Sequence, residues 1–249
     1  MIRKVLPPLL VVLVLIAAWQ VYVDNGGVDD LVLASPSQIA RSLWDDRSLL
    51  LDNFWVTAKE VGLGIVVSLV VGVLLAFFIH RSELSRRALY PLMVGSQAVP
   101  LVILAPLLVY WVGFGIAPKI AIIALICFFP VVVTTYDGLR AVDIDLLKLM
   151  TTLGASKRQT LRFAELPAAL PAALSGARIA VAIAVIGAVL AESAGSTAGL
   201  GHLLLQSIPA LETARAYAAA VVMAIFAIAL FYTLGLAERR FVPSHPRRP

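Results

Sequence analysis

Cysteine, histidine and charge are all scarce in this chain. The single cysteine, Cys127, excludes an intramolecular disulfide and lies inside an apolar run, where it reads as a packing residue. The three histidines (His80, His202, His245) fall in three different loops, and no H-E-x-x-H or G-x-S-x-G pattern occurs. Neither a metal centre nor a hydrolytic site is therefore expected, and no cofactor. No Gly-Lys pair exists, which rules out a G-x4-G-K-[ST] phosphate loop; any ATP hydrolysis must come from another subunit. Charged residues make up 14% of the 249 positions against 61% hydrophobic ones, far too little charge for a soluble domain. The net charge of +5 does not point to nucleic acid, because the basic residues sit in loops beside apolar runs, where a membrane surface explains them.

What the chain does have is long apolar runs. Val5 to Val23 offers about 19 apolar residues, longer than a signal-peptide core and with no clean small-x-small cleavage site after it, so a first spanning helix is expected. Asp24 to Leu51 is acidic and broken by Gly26-Gly27 and Ser35-Pro36-Ser37: a loop, with a short amphipathic helix after Pro36. A helix starting near Asn53 spans about 61–79, with Gly64, Ser68 and Gly72 forming a small-residue stripe that allows close helix approach. Residues 80–87 read as a short basic turn. The third span, about 92–112, holds Pro100 and Pro106 and is expected to be kinked or broken. The fourth covers about 120–136, the fifth about 174–191 with Gly176, Ala180, Ala184 and Ala188 on one stripe, and the sixth about 216–237. Between the last two lies a Gly-containing, partly apolar segment, 192–215. Trp19, Tyr22, Trp44, Trp55 and Trp111 lie mostly near span ends, as an interfacial belt requires. Fifteen of the twenty Lys and Arg residues fall in the N-terminus, 80–87, 137–178 and the tail, which places both termini and the 137–178 stretch in the cytoplasm. The expectation is an all-α polytopic membrane protein of six spans, a single domain over 1–249 with a basic, Pro-rich tail at 238–249.

The longest polar interruption of the C-terminal half, Asp143 to Arg178, organises the rest. Leu146, Leu149, Met150 and Leu153 recur at helical spacing, with Asp143 as N-cap and Gly154 where a C′ residue takes the left-handed conformation. Ser156 and Gln159 form an S-x-x-Q capping box that starts a second helix reaching about Phe163. Lys157, Arg158 and Arg162 project from it, and Pro167 and Pro171 are expected to end it. Helix, glycine turn, basic helix and proline stop between two membrane-length runs read as a docking element.

These residues carry a family resemblance. Gly154, nine residues, then Ala164-Glu165-Leu166-Pro167 resembles the later part of the EAA loop of ABC-importer permeases, E-A-A-x3-G-x9-I-x-L-P, with Lys148-Leu149-Met150 in place of E-A-A and Ala164 in place of Ile. Gln97-Ala98-Val99-Pro100, Ala105-Pro106-Leu107, Trp111-Val112-Gly113-Phe114-Gly115 and, after Glu192, Gly199-Leu200-Gly201 are similar to the branch serving nitrate, sulfonates, taurine and pyrimidine-type vitamin precursors. The resemblance covers roughly 35–240. It implies a non-catalytic permease subunit with the type I ABC-importer permease fold in the bacterial inner membrane. It also implies a coupling loop over about 137–173 that docks on an ATP-binding subunit, an external solute-binding protein and a permease homodimer. Gly154, Ala155, Lys157, Arg158, Arg162, Leu166 and Pro167 become the coupling residues.

Polar residues in or near spans are candidates for the translocation path: Gln97 and Pro100, with an interhelical hydrogen bond as the other reading of Gln97, and Glu192, with an ordinary interfacial role as its other reading. Arg178 is read as snorkelling to headgroups and Lys59-Glu60 as a solvated pair. No Lys or Arg lies mid-span, which favours a neutral solute, a thiamine-precursor pyrimidine first, with nitrate, taurine or alkanesulfonates as the alternative. A secondary transporter without an ATPase is the rival from another class; it would need mid-span carboxylates, and none is present.

Overall fold

The computed structural model describes residues 2–241, with side chains for residues 6, 7 and 10–236. The expected tail is thus described only as backbone up to Phe241, and the rest of it lies outside the described residues. Every element is helical: α1 (Ile2–Asp24), α2 (Pro36–Asp45), α3 (Arg47–Arg81), α4 (Glu83–Ser96), α5 (Leu101–Val112), α6 (Ile116–Arg140), α7 (Ile144–Thr152), α8 (Lys157–Thr160), a π turn (Leu161–Glu165), α9 (Leu166–Ser193), α10 (Leu200–Ser207) and α11 (Thr213–Phe241). Among the described residues, four helices are long and apolar enough to cross a membrane: α3, α6, the continuous run Lys157–Ser193, and Thr213–Leu236. The pair α4 and α5, bent by 101° at its break, makes a fifth if it is one span. Pro100 causes that break, since a proline cannot continue the hydrogen-bond ladder of α4, and it starts α5 from an extended conformation instead. The first expected span falls in α1, where the described apolar stretch, Leu10–Asp24, is shorter than a crossing.

The chain divides into two compact units. One takes in the chain up to Thr57 and Thr197–Ile225. Here α2 opens with a full capping box, Ser35 accepting from the Gln38 amide (3.3 Å) while the Gln38 side chain accepts from the Ser35 N–H (2.8 Å), with Pro36 in the first turn. Residues 192–215, read as a Gly-containing, partly apolar segment, contain the helix α10. Its N-terminus has no capping side chain of its own; Asn53 and Thr57 of α3 accept from the Gly199 and Leu200 amides at 2.7 and 2.8 Å. Arg215 binds Asp46 at 2.9 Å, and Asp46 also accepts from Ser42 at 2.7 Å.

The other unit, Ala58–Ser196 with the chain from Phe226, is built around α6 packed on α9. In a lipid environment apolar area gives helices little reason to associate, so close packing must supply it. Both predicted stripes serve this. A Cβ on Gly72 would stand 2.8 Å from Val131 of α6, and one on Gly176 would run into the Thr134 side chain and the Pro130 carbonyl, 2.9 Å away. Ala180, Ala184 and Ala188 are buried in the same core with Ile122, Ile123, Cys127 and Val131. Cys127 packs as expected and donates to the Ala180 carbonyl at 3.3 Å.

Two expectations about boundaries are corrected. Residues 80–87 are not a turn: only Ser82 interrupts the helices, and its hydroxyl accepts from the Ser85 amide to cap α4. Pro167 and Pro171 do not stop the second helix of the docking stretch, which runs from Lys157 to Ser193. Pro167 has no N–H for the Phe163 carbonyl, but the helix widens into a π turn just before it, with the Leu166 N–H bonding the Leu161 carbonyl five residues back.

Candidate functional site

The docking stretch forms as its local signals require. Asp143 accepts from the Asp145 amide at 2.8 Å and caps α7. Gly154 has φ +72°, with its N–H on the Thr151 carbonyl (3.0 Å) and the Ala155 N–H on the Met150 carbonyl (2.9 Å), the paired bonds of a Schellman cap. A Cβ at Gly154 would meet nothing, so it is backbone strain alone that favours glycine there. Ser156 and Gln159 form the reciprocal capping box, at 2.8 and 3.3 Å.

The side chains of this stretch turn outward. Leu146, Leu149 and Leu153 are exposed, Leu153 to 72%, while Met150 is half-buried, so the predicted apolar stripe of α7 is covered only in part by this chain. Ile144, the first residue of α7, and Phe163, in the π turn, are exposed as well. Lys157, Arg158 and Arg162, on the helical segment that follows Gly154, are exposed. Lys148 pairs with Asp145 at 2.9 Å on an exposed face. Leu166 and Pro167 are exposed as well, and the neighbouring Ala164 and Ala169 are buried. Exposed leucines and exposed cations on one segment have the composition of a partner-binding surface.

The three translocation candidates fall in different settings. Gln97 is the C-cap residue of α4 and Pro100 the N-cap of α5, both exposed at the elbow. Glu192, in the last turn of α9, is only 1% exposed, and it faces the carboxyl of Glu60, itself 2% exposed. Lys119 of α6 donates to Glu60 and to Ser196, both at 2.6 Å. Glu60 is therefore not half of a solvated pair with Lys59; it belongs to a buried cluster that joins α3, α6 and the end of α9. Burying such charges is costly unless they are paired, and the pairing here runs between helices. Lys119 and Glu60 were missed as a pair. Each stands immediately before the start of an apolar span, and this position was the available signal. Arg178 does not merely reach for headgroups: its guanidinium lies over the Phe231 ring of α11 at 4.6 Å, beside Gly235.

A family model, the inner membrane component of binding-protein-dependent transport systems, matches residues 68–244. The chain belongs to this family. A probable ABC transporter permease of Haemophilus influenzae is 36% identical over 96% of this chain and 98% of its own length. The formylaminopyrimidine transport permease ThiX of Halalkalibacterium halodurans is 34% identical over 96% of both chains. The taurine transport permease TauC of Escherichia coli is 28% identical over 93% of this chain and 87% of its own. Among solved structures, an inward-facing MetNI methionine ABC transporter matches with a TM-score of 0.71 and 17% identity, over 80% of this chain and 98% of that one. The fold is thus the all-helical polytopic permease fold of type I importers. The protein is a multi-pass inner-membrane permease subunit of an ABC importer for a small solute. ATP is hydrolysed by a separate ATP-binding subunit, and a binding protein serves the system. Membership in this family sets aside the secondary-transporter reading.

Proposed function

We propose that this permease carries a small neutral heterocycle of the thiamine-precursor pyrimidine type, with hydroxymethylpyrimidine as the first candidate. It works as a homodimer of single-domain, six-span chains with both termini in the cytoplasm, bound to two ATP-binding subunits. The first of the six spans is α1, extended at its N-terminal end beyond Leu10. The observation that carries the assembly is the exposed apolar and basic face of α7 and α8, on a segment held rigid by the Schellman cap and capping box. Gly154 and Ala155 set the turn between the two coupling helices. Lys157, Arg158 and Arg162 meet the ATP-binding subunit, and Leu166-Pro167 carry the segment into α9. Gln97 and Pro100 at the elbow border the path of the solute, with Glu192 at its outer end. ATP binding draws the docking segments together and opens the path outward; hydrolysis resets it.

Two observations support the substrate class. A relative named for formylaminopyrimidine transport is 34% identical over nearly the whole chain. The cations set into the α6 and α9 spans are also engaged, Lys119 by Glu60 and Arg178 by the Phe231 ring, which favours a neutral solute over an anion. The test is radiolabelled uptake in cells that express the permease with its ATP-binding subunit and binding protein. ATP-dependent accumulation of hydroxymethylpyrimidine is expected. Accumulation of taurine or an alkanesulfonate, with none of the pyrimidine, overturns the assignment in favour of the anion-carrying branch.

A further inference from the structure

The path from the docking segment into the spans contains one irregular turn. From Lys157 to Ser193 the helix is continuous, and only Leu161–Glu165 departs from α geometry. Pro167 produces that departure, and the helix axis accommodates bending most readily at such an interrupted ladder. At this turn the chain makes a long-range connection. The Oε2 atom of Glu165 accepts from Nε2 of His80 at 2.9 Å, across 85 residues of sequence. His80 is the penultimate residue of α3. Next to it, Ile79 is buried with Ala76, Met93, Val132 and Tyr136, so the end of α3 is already fixed by apolar packing against α4 and α6.

As a staple, then, the bond adds little. Both side chains are about one-fifth exposed, 21% and 18%, and a bond in that setting is weak beside the cluster that anchors α3. Its position gives it another use. It joins the softest turn between docking segment and α9 to the end of a second span. We propose that the π turn is the joint at which displacement of the docking segment enters α9, and that the His80–Glu165 bond passes the same displacement to α3. His80 and Glu165 are positioning residues for coupling: neither touches nucleotide or solute, and both keep α3 in step with α9. This inference rests on residues 143–167 being the surface that meets the ATP-binding subunit.

Amide hydrogen exchange on the permease in complex with its ATP-binding subunit tests it without a solute. Exchange is compared between the nucleotide-free complex and the complex trapped with ATP and vanadate, in peptides covering 74–81 and 157–168. In the wild-type chain both peptides should respond to trapping. With His80→Ala the response in 157–168 persists, while that in 74–81 falls at least about threefold. His80→Gln, which presents an amide N–H near the position of Nε2, restores it. A purely structural role would leave the nucleotide response of α3 unchanged or lower protection equally in both states. An equal response of 74–81 in His80→Ala and wild type overturns the proposal, and so does a wild-type α3 that ignores nucleotide. If His80→Ala does not assemble, Glu165→Gln and Glu165→Ala take its place, the first expected to retain the response and the second to lose it. The docking reading is checked separately, by whether residues 143–160 become protected when the ATP-binding subunit is added. Protection there with an indifferent α3 refutes only the link through His80.

Discussion

Replacing Lys119 by Met probes the buried cluster most sharply. The ammonium lies 2.6 Å from Glu60 Oε1 and 2.6 Å from Ser196 Oγ, with Glu192 facing the same carboxyl. At that distance and an effective dielectric constant of 20, the gross attraction between Lys119 and Glu60 is about 6 kcal/mol, most of it offset by the cost of taking both groups out of water. Removing the lysine abolishes the attraction and leaves the Glu60 carboxyl buried without its cation, a loss of about 3–5 kcal/mol. For a chain of this size that corresponds to a fall of roughly 10 °C in Tm. Glu60→Gln should cost only about 1 kcal/mol, because Glu192 remains as the anion and the amide can still accept from Lys119. The double variant should then recover about 1–2 kcal/mol relative to Lys119→Met alone. The assay is the fraction of detergent-solubilised protein that stays monodisperse through a heating series. If Lys119→Met melts within about 2 °C of the wild type, or if the two losses simply add, the cluster is not coupled in this way.

Three further predictions follow from other parts of the chain. Burial pushes the Asp46 carboxyl up, but hydrogen bonds from Arg215 and Ser42 and the nearby guanidinium charge outweigh it and hold it below its ordinary 3.8. Such a group stabilises the fold fully above its unfolded-state value and loses that contribution as pH falls through its folded-state value. Asp46→Asn should therefore lower Tm at neutral pH, with the gap to wild type closing on acidification below 3.8; a gap that is constant with pH contradicts this. Gly176→Ala should cost about 1–3 kcal/mol by pushing α9 off Thr134 and Pro130, visible as a lower melting temperature. Reporters fused after Gly27 or Ile208 should read as external, and reporters in 80–87 or 154–160 as cytoplasmic. A cytoplasmic signal at both outer positions would sink the six-span topology.

The parts of this fold that were legible in the sequence are those decided within a few residues. Asp143, Gly154, Ser156 and Gln159 each act on a backbone group no more than three positions away, so spacing alone placed the caps of the docking segment. The small-residue stripes were legible because a 3.6-residue period fixes which positions share a face. What escaped depends on distant partners. The α10 helix is capped by Asn53, 146 residues before Gly199 in the chain, and nothing around Leu200 announces it. Lys119 and Glu60 are 59 residues apart, and Glu60 looks solvated beside Lys59 until the helices are packed. The prolines after Phe163 were read by their usual effect. The π turn that absorbs Pro167 depends on the packing of Ala164 and Ala169, both buried while their neighbours are not. The α7 stripe was legible as a stripe, and this chain leaves it largely uncovered.

The central claim, that the 143–167 segment docks an ATP-binding subunit, is tested most directly by affinity purification of the tagged permease from native membranes, with ATPase assay of the eluate, for the wild type and Gly154→Val. The valine is forced to a positive φ that a β-branched residue adopts poorly, so the turn between α7 and α8 should be lost while the spans remain. The wild type should bring down an ATP-binding subunit with measurable hydrolysis, and Gly154→Val should insert normally but elute largely without it. An eluate from Gly154→Val as rich in ATPase as the wild type's would contradict the account.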